Sequence, residues 1–467
     1  MEDKKTAAEL LQEKLIIKKE SGYKCFEKKF KAEIAAYCEN YIEFMNSAKT
    51  EREFTVLAID MLKKEGFSEF CAGYEYKAGD KVYFNNRKKS LIAAVIGTKP
   101  LDTGANITAA HIDSPRLDLK PNPLYEDNGL GYFKTHYYGG IKKYQWVTLP
   151  LSIHGTIVMA DGTAVNITIG VDDSDPVFCV TDILPHLSNK VQDDRKARDV
   201  IKGEELNVLL GSEPFDDEKI SEPVKLNLMR ILNEKYGIVE ADFVSAEIEI
   251  VPALKARYIG FDKSLIGAYA HDDRVCAYTA LTAFLSIGSP AKTNICILAD
   301  KEEVGSDGNT GLNSDFLKNF LSLLSKSCKC EVETVIHNSR ALSADVNAAF
   351  DPSFAEVNER RNCAYLNYGP VLTKYTGARG KSSTNDASAE FVGEMRRLFD
   401  SNGIPWQTGE LGKVDEGGGG TVAKFISSLG MEVVDIGVAL LSMHSPYEVA
   451  SRIDIFAMYR AFCAFYN

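Results

Sequence analysis

The stretch TNICILADKEEVGSDG, residues 293–308, decides how the chain is read. Thr293–Ala299 is an apolar, β-branched run suited to a strand buried on both faces. It leads at once into two adjacent glutamates, Glu302 and Glu303, and two glycines, Gly305 and Gly308. A solvated turn explains such a doublet without any function. A metal-binding carboxylate beside a proton-moving one explains it equally well, with the glycines letting the chain turn sharply.

Working outward, similar apolar runs recur as SLIAAVIG (90–97), ANITAAHIDSP (105–115), VETVIHNSRALSAD (332–345) and GMEVVDIGVALL (430–441). Between them RVCAYTALTAFLSIG (274–288), NDASAEFVGEMRRLFDSNG (385–403) and SRIDIFAMYRAFCAF (451–465) carry helical spacing. Strands alternating with helices predict an α/β fold, a mostly parallel or mixed sheet flanked by helices. TAAELLQEKL and EREFTVLAIDMLKKEGF near the N-terminus read as packed helices, the second ending at Gly66.

The character changes after about residue 118. PNPLYEDNGLGYFKTHYYGGIKKYQW is rich in turn residues and aromatics, and HGTIVMADGTAVNITIG reads as a hairpin about Asp161-Gly162. A helix over 222–236 should stop at Gly237, and SAEIEIVPA (245–253) alternates like a strand with one wet face. These boundaries give a catalytic unit of residues 1–118 and 255–467, interrupted by a β-rich insertion over 119–254.

At 467 residues the chain is too long for one simple core. Its formal charge of −12 argues against general affinity for nucleic acid or an anionic membrane. No window approaches the roughly 20 apolar residues of a membrane span. The N-terminus is charged from its first residues, and the ten cysteines are scattered, so a cytoplasmic protein with reduced thiols is expected.

In a parallel sheet, reactive groups collect beyond the carboxyl ends of the strands. Five polar clusters fall there: His111-Ile112-Asp113, His271-Asp272-Asp273, Glu302-Glu303, Ser343-Ala344-Asp345 and Met443-His444-Ser445. Each alone is weak. Together they offer two imidazoles, a carboxylate to share between two divalent ions, two further carboxylates and one spare glutamate. Such a set suits Zn²⁺ and tolerates Co²⁺ or Mn²⁺.

The ordered motifs AHIDSPRLDLKP, AHDDR, DKEEVGS, SADVNAAFDP and LSMHS resemble the aspartyl-aminopeptidase family of two-metal exopeptidases, from about residue 105 to the C-terminus. The resemblance implies a zinc-exopeptidase-like fold whose insertion serves dimerisation and substrate gating. It implies that His111 and Asp345 hold one ion, Glu303 and His444 the other, and that Asp272 bridges them. Asp113 would orient the His111 ring, and Glu302 would be the general base, taking a proton from a metal-activated water. His186, in DILPHLSNK, matches a family histidine that reaches into a neighbouring subunit and stabilises the oxyanion. Family members commonly form dodecamers built from dimers, so a homo-oligomer acting on peptides with a free N-terminus is expected.

Two regions depart from the family. TGARGKSSTNDASAEF and KVDEGGGGTVAKF replace its usual substrate segments, leaving Lys374, Arg379, Lys381, Gly418 and Gly419 as candidate substrate contacts. His271 replaces the residue usual before the bridging acid and reads as a neighbour rather than a ligand. His136, His154 and His337 have no partner motif. An amidohydrolase for non-peptide amides and an inactive shell-forming homologue are the alternative readings; the retained Glu302 opposes the second.

Overall fold

A computed structural model of the chain describes residues 5–17, 19–377 and 380–467. Four parallel strands form its centre, adjacent in the order Thr293–Ala299, Ala105–His111, Arg340–Ala344 and Glu432–Gly437. Antiparallel neighbours extend them, Ser90–Val95 on one flank and Val371–Thr373 on the other, in a mixed sheet of nine strands. The α/β expectation is borne out.

Alternation of side chains along each strand feeds two cores. Ala110, Cys296, Leu298, Leu342 and Ile436 pack on the face covered by helices Glu27–Ser47, His271–Leu285 and Arg452–Tyr466. Ile107, Ala109, Ile295, Ile297, Ala341 and Val433 pack on the other, under the helix Phe316–Ser327. Apolar content on both faces is why these strands read as continuous hydrophobic runs.

A second, seven-stranded sheet is antiparallel throughout and is built from strands between Arg116 and Pro252. Its hairpin Leu151–Val158/Ala164–Ile169 turns about Asp161-Gly162, and its helix Pro223–Tyr236 ends on Gly237 at φ 76°, both as the sequence indicated. A third sheet of five short strands includes Leu265–Ala268, Glu448–Ser451 and Ala439–Leu441 as neighbours.

Four readings need correction. The first half of VETVIHNSRALSAD is a helix, Val332–Asn338, because Val332, Val335 and Ile336 follow i, i+3, i+4 spacing into the core; only Arg340–Ala344 is strand. PNPLYEDNGLGYF is not merely turn-rich: strands Arg116–Asp127 and Leu130–Tyr138 form a hairpin whose tip, Asn128-Gly129, has φ 49° and 75°. The strand Ala246–Pro252 has no wet face beyond Glu247, since Glu249 is buried with its Oε2 3.3 Å from Arg116 Nε. The helix Ala7–Leu15 is held by its Thr6–Glu9 capping box and buries none of its residues, so it is not packed as expected.

The strand ends Ala299, His111, Ala344 and Gly437 lie together on one edge of the main sheet. Gly437 matters there because an added Cβ would overlap the carbonyl of Asp345. Gly437→Ala is therefore expected to cost about 1–3 kcal/mol by overpacking. Gly288→Ala, where an added Cβ meets nothing within 4 Å, should stay within about 0.5 kcal/mol. Urea denaturation of the two variants measures this; equal midpoints would show that the Gly437–Asp345 approach is not a constraint.

Candidate metal centre

His111 ends the central strand Ala105–His111 and is buried. Its Nδ1 lies 3.0 Å from the backbone oxygen of Asp113 and 3.3 Å from Asp113 Oδ1. Either acceptor fixes the hydrogen on Nδ1 and leaves the Nε2 lone pair facing the site. Nε2 is 3.2 Å from Asp272 Oδ1 and 3.9 Å from Glu302 Oε2. On the other side of Asp272, its Oδ2 is 3.2 Å from His444 Nε2, while His444 Nδ1 lies 2.8 Å from the carbonyl of Gly140. The Asp272 carboxylate thus stands between two imidazoles, each presenting Nε2.

Asp272 and Asp273 lie in the first turn of the helix His271–Leu285 rather than at a strand end, with non-helical backbone angles. Glu302 and Glu303 sit in a 3₁₀ turn, Glu302–Val304, entered through Lys301 at φ 71° and left through Gly305 at φ 88°. The Asp113 carboxylate holds that turn: Oδ1 accepts from Glu302 N–H at 3.1 Å and Oδ2 from Glu303 N–H at 3.2 Å. Tyr138 also donates to Oδ2, at 2.7 Å.

Two donor clusters share His111: His111, Asp272 and Glu303, and His111, Glu302 and Asp345, with ligand atoms within 4.8 Å of one another. Burial is the main cause of the charge tension here. It pushes Glu302 up to about 7, with Asp113 and Asp272 adding to the rise against His111. Burial likewise raises Glu303, reinforced by Asp272, and Asp345, reinforced by Glu302 and Asp273, well above the carboxylate range. For Asp272 the burial penalty is overcome by hydrogen bonds with His111 and His444, which hold its carboxyl low. In His444 burial opposes protonation, but Asp272 pushes the imidazole up to about 10.

The donors fit divalent zinc. They are imidazole nitrogens and carboxylate oxygens, and Glu303 Oε1 is buried with no hydrogen-bond partner among the described residues. His271 is turned away: Nδ1 lies 2.7 Å from Tyr41 Oη and Nε2 3.0 Å from the Ile266 carbonyl. His154 is engaged by Glu53 and Ser152, and His136 and His337 are exposed.

The other sequence candidates lie outside these clusters. His186 is exposed on the short helix Pro185–Ser188, with Leu184, Leu187 and Val191 exposed beside it. Lys374 lines a cleft of about 180 Å³ with Tyr375, Thr408 and Glu410. Lys381 Nζ is taken by Asp386 at 2.9 Å and lies over the Tyr375 ring. The Gly419 carbonyl accepts from Gly377 N–H at 2.7 Å, and Gly418 beside it is exposed. Arg379 lies outside the described residues.

Sequence reasoning missed Tyr138 and Glu448. Tyr138 arrives from the end of the Asn128-Gly129 hairpin, a turn signal that was present in the sequence. Glu448, four residues after His444, accepts the N–H of His444 at 2.7 Å and that of Asp272 at 2.9 Å. No sequence motif marks a carboxylate that acts on backbone groups.

Imidazoles and carboxylates, most of them buried, gather beyond the parallel strands as a candidate metal centre on an α/β scaffold. The model of the Aminopeptidase I zinc metalloprotease (M18) family matches residues 44–466. A probable M18 family aminopeptidase 1 from Clostridium acetobutylicum is 52% identical over 443 residues, covering 93% of this chain and 95% of that protein. The crystal structure of an M18 aminopeptidase from Thermotoga maritima superposes with a TM-score of 0.91 at 46% identity, covering 97% of this chain and 99% of that one. The mApe1 dodecamer of S. cerevisiae shares the fold at a TM-score of 0.73 and 20% identity, covering 91% and 95%.

The chain belongs to the M18 family of zinc metalloproteases and is an aminopeptidase, a hydrolase of peptide bonds. The family resemblance carried by the five motifs is borne out.

Proposed function

We propose that this aminopeptidase works through two divalent ions, zinc by family, with Co²⁺ or Mn²⁺ able to substitute. Asp272 would be shared between the ions; His111 and Asp345 would hold one, Glu303 and His444 the other. The observation that carries this reading is the Asp272 carboxylate, whose two oxygens each stand 3.2 Å from the Nε2 of a different histidine. A single-ion site gains nothing from that symmetry.

Bound there, the ions supply Lewis acidity toward the scissile carbonyl and bring the pKa of water toward neutrality. Every other role falls to side chains of the chain. Glu302 is the general base: it takes the proton of the attacking water and passes it to the leaving amine. Its side chain is 17% exposed, whereas that of Glu303 is 3% exposed, so Glu302 has the freer access to substrate. Asp113 keeps His111 in one tautomer and fixes the Glu302 turn through the two backbone bonds.

The substrate is a peptide with a free N-terminus, whose amine sits against the metal-binding carboxylates. Lys374, exposed in its cleft, is the better placed of the candidate side-chain contacts, because Lys381 is already paired with Asp386. Gly418 and Gly419 would offer backbone groups to the substrate. Arg379 keeps its sequence-based candidacy.

The insertion, residues 119–254, would mediate dimerisation and gate the substrate, with His186 acting in a neighbouring subunit on the oxyanion. Its exposure and the apolar side chains of Leu184, Leu187 and Val191 around it support that reading. A dimer-based homo-oligomer, up to a dodecamer like that of the yeast fold relative, follows. The nine free cysteines among the described residues support a reducing, cytoplasmic setting.

Glu302→Gln is expected to keep its zinc, by elemental analysis, and lose roughly 10²–10⁴-fold in turnover of aminoacyl-anilides. Wild-type turnover in that variant would remove Glu302 as base. Hydrolysis of N-blocked amides with no action on free-amine substrates would favour the amidohydrolase instead. Inactive His186→Ala and Glu302→Gln subunits, co-assembled, should regain part of the activity; verified mixed oligomers with none would show that His186 does not act in trans.

A further inference from the structure

We propose that Glu448 is a positioning residue for the His444 side of the metal pair: its two carboxylate oxygens set the spacing of Asp272 and His444 through their backbone N–H groups. The proposal rests on the two-ion reading of the site.

The register of the small sheet makes this possible. Glu448–Ser451 is the strand between Leu265–Ala268 and Ala439–Leu441, with Glu448 opposite Ala268 and Val449 opposite Leu441. One neighbour runs on to Asp272 and the other to His444. Glu448 therefore begins its strand where both ligand-bearing segments leave the sheet. Oε2 accepts from Asp272 N–H at 2.9 Å and Oε1 from His444 N–H at 2.7 Å. The residue is 1% exposed, so water does not substitute for either bond.

Regular secondary structure does not hold those two segments. Ala270, Ser442 and His444 all adopt left-handed backbone, at φ 66°, 57° and 63°, although none is glycine. Asp272 itself has φ −78° and ψ 110°, outside helical values. Conformations of this kind persist only where surrounding contacts over-determine them. The Glu448 carboxylate is a contact common to both segments, and loss of either bond frees one ligand to move relative to the other.

The effect is unequal on the two sides. His111 sits on the central strand of the main sheet and is oriented by Asp113, with no bond to Glu448. Asp272 and His444 together serve the ion shared with Glu303. Disturbing Glu448 should therefore weaken that ion, which depends on it through both residues, more than the one at His111 and Asp345, which depends on it through Asp272 alone.

Zinc stoichiometry and the kinetics of zinc transfer to a chromogenic chelator test this on the full chain. Wild type should release two zinc ions per subunit in resolvable phases. Glu448→Gln has the same shape but turns an N–H₂ toward one of the two donors. It should bind one zinc roughly 10–100-fold more weakly than wild type and the other with a clearly smaller loss. Glu448→Asp, with both acceptors but a shorter reach, should move the same way and decides the matter if the glutamine variant does not fold by circular dichroism. Two zinc ions released at wild-type rates from a folded variant would overturn the proposal, as would equal weakening of both. A wild type that binds a single zinc would instead overturn the two-ion reading, and the proposal with it.

Discussion

Negative charge buried at one edge of a parallel sheet is the constraint on which the rest of this structure depends. Asp113, Asp272, Glu302, Glu303 and Asp345 crowd around only two imidazoles, His111 and His444. Two like charges within 4.8 Å of each other repel by roughly 3.5 kcal/mol or more at an effective dielectric of about 20. Protein groups relieve part of this: Asp113 is satisfied by two backbone N–H groups and Tyr138, and Asp272 by the imidazoles. The remainder, including the unpartnered Glu303 Oε1, calls for cations. A zinc aminopeptidase is a fold that meets this charge with metal and uses the metal on a peptide bond.

The scaffold follows from the same need. Parallel strands buried on both faces end at a common edge, and candidate ligands from distant parts of the sequence converge there without any strand leaving its ladder. The turns beyond the strands then carry the demands. Gly437 lets the Glu432–Gly437 strand pass the Asp345 carbonyl, Lys301 and Gly305 take positive φ around Glu302 and Glu303, and the hairpin Arg116–Asp127/Leu130–Tyr138 leads to Tyr138 and, just beyond it, the Gly140 carbonyl. The hairpin and the residues after it are thus tied to the candidate metal centre through hydrogen bonds to Asp113 and His444.

Much of this is legible in the sequence because the signals are local. Thr293–Ala299 announces a doubly buried strand, Gly237 a helix stop, and Asp161-Gly162 a hairpin. The candidate ligand residues stand out because divalent-metal chemistry favours histidine and carboxylates, although Asp272 sits in the first turn of a helix and not at a strand end. What escapes has a physical reason. The helix Val332–Asn338 adjoins a strand of like composition, so its i, i+3, i+4 spacing is masked within one apolar run. Glu249 looks like a wet strand residue until Arg116, from a neighbouring strand far away in sequence, pairs with it. Tyr138 and Glu448 act through a side chain and backbone groups that the fold alone brings near, and sequence spacing carries no trace of that.

The central claim, that Asp272 is shared by two ions, is tested most directly by diffraction from zinc-loaded crystals at wavelengths on either side of the zinc absorption edge. The account expects two anomalous peaks per subunit on opposite sides of the Asp272 carboxylate, one beside His111 and Asp345, the other beside His444 and Glu303. One peak alone in fully loaded crystals, or a pair that leaves Asp272 uncoordinated, would contradict it.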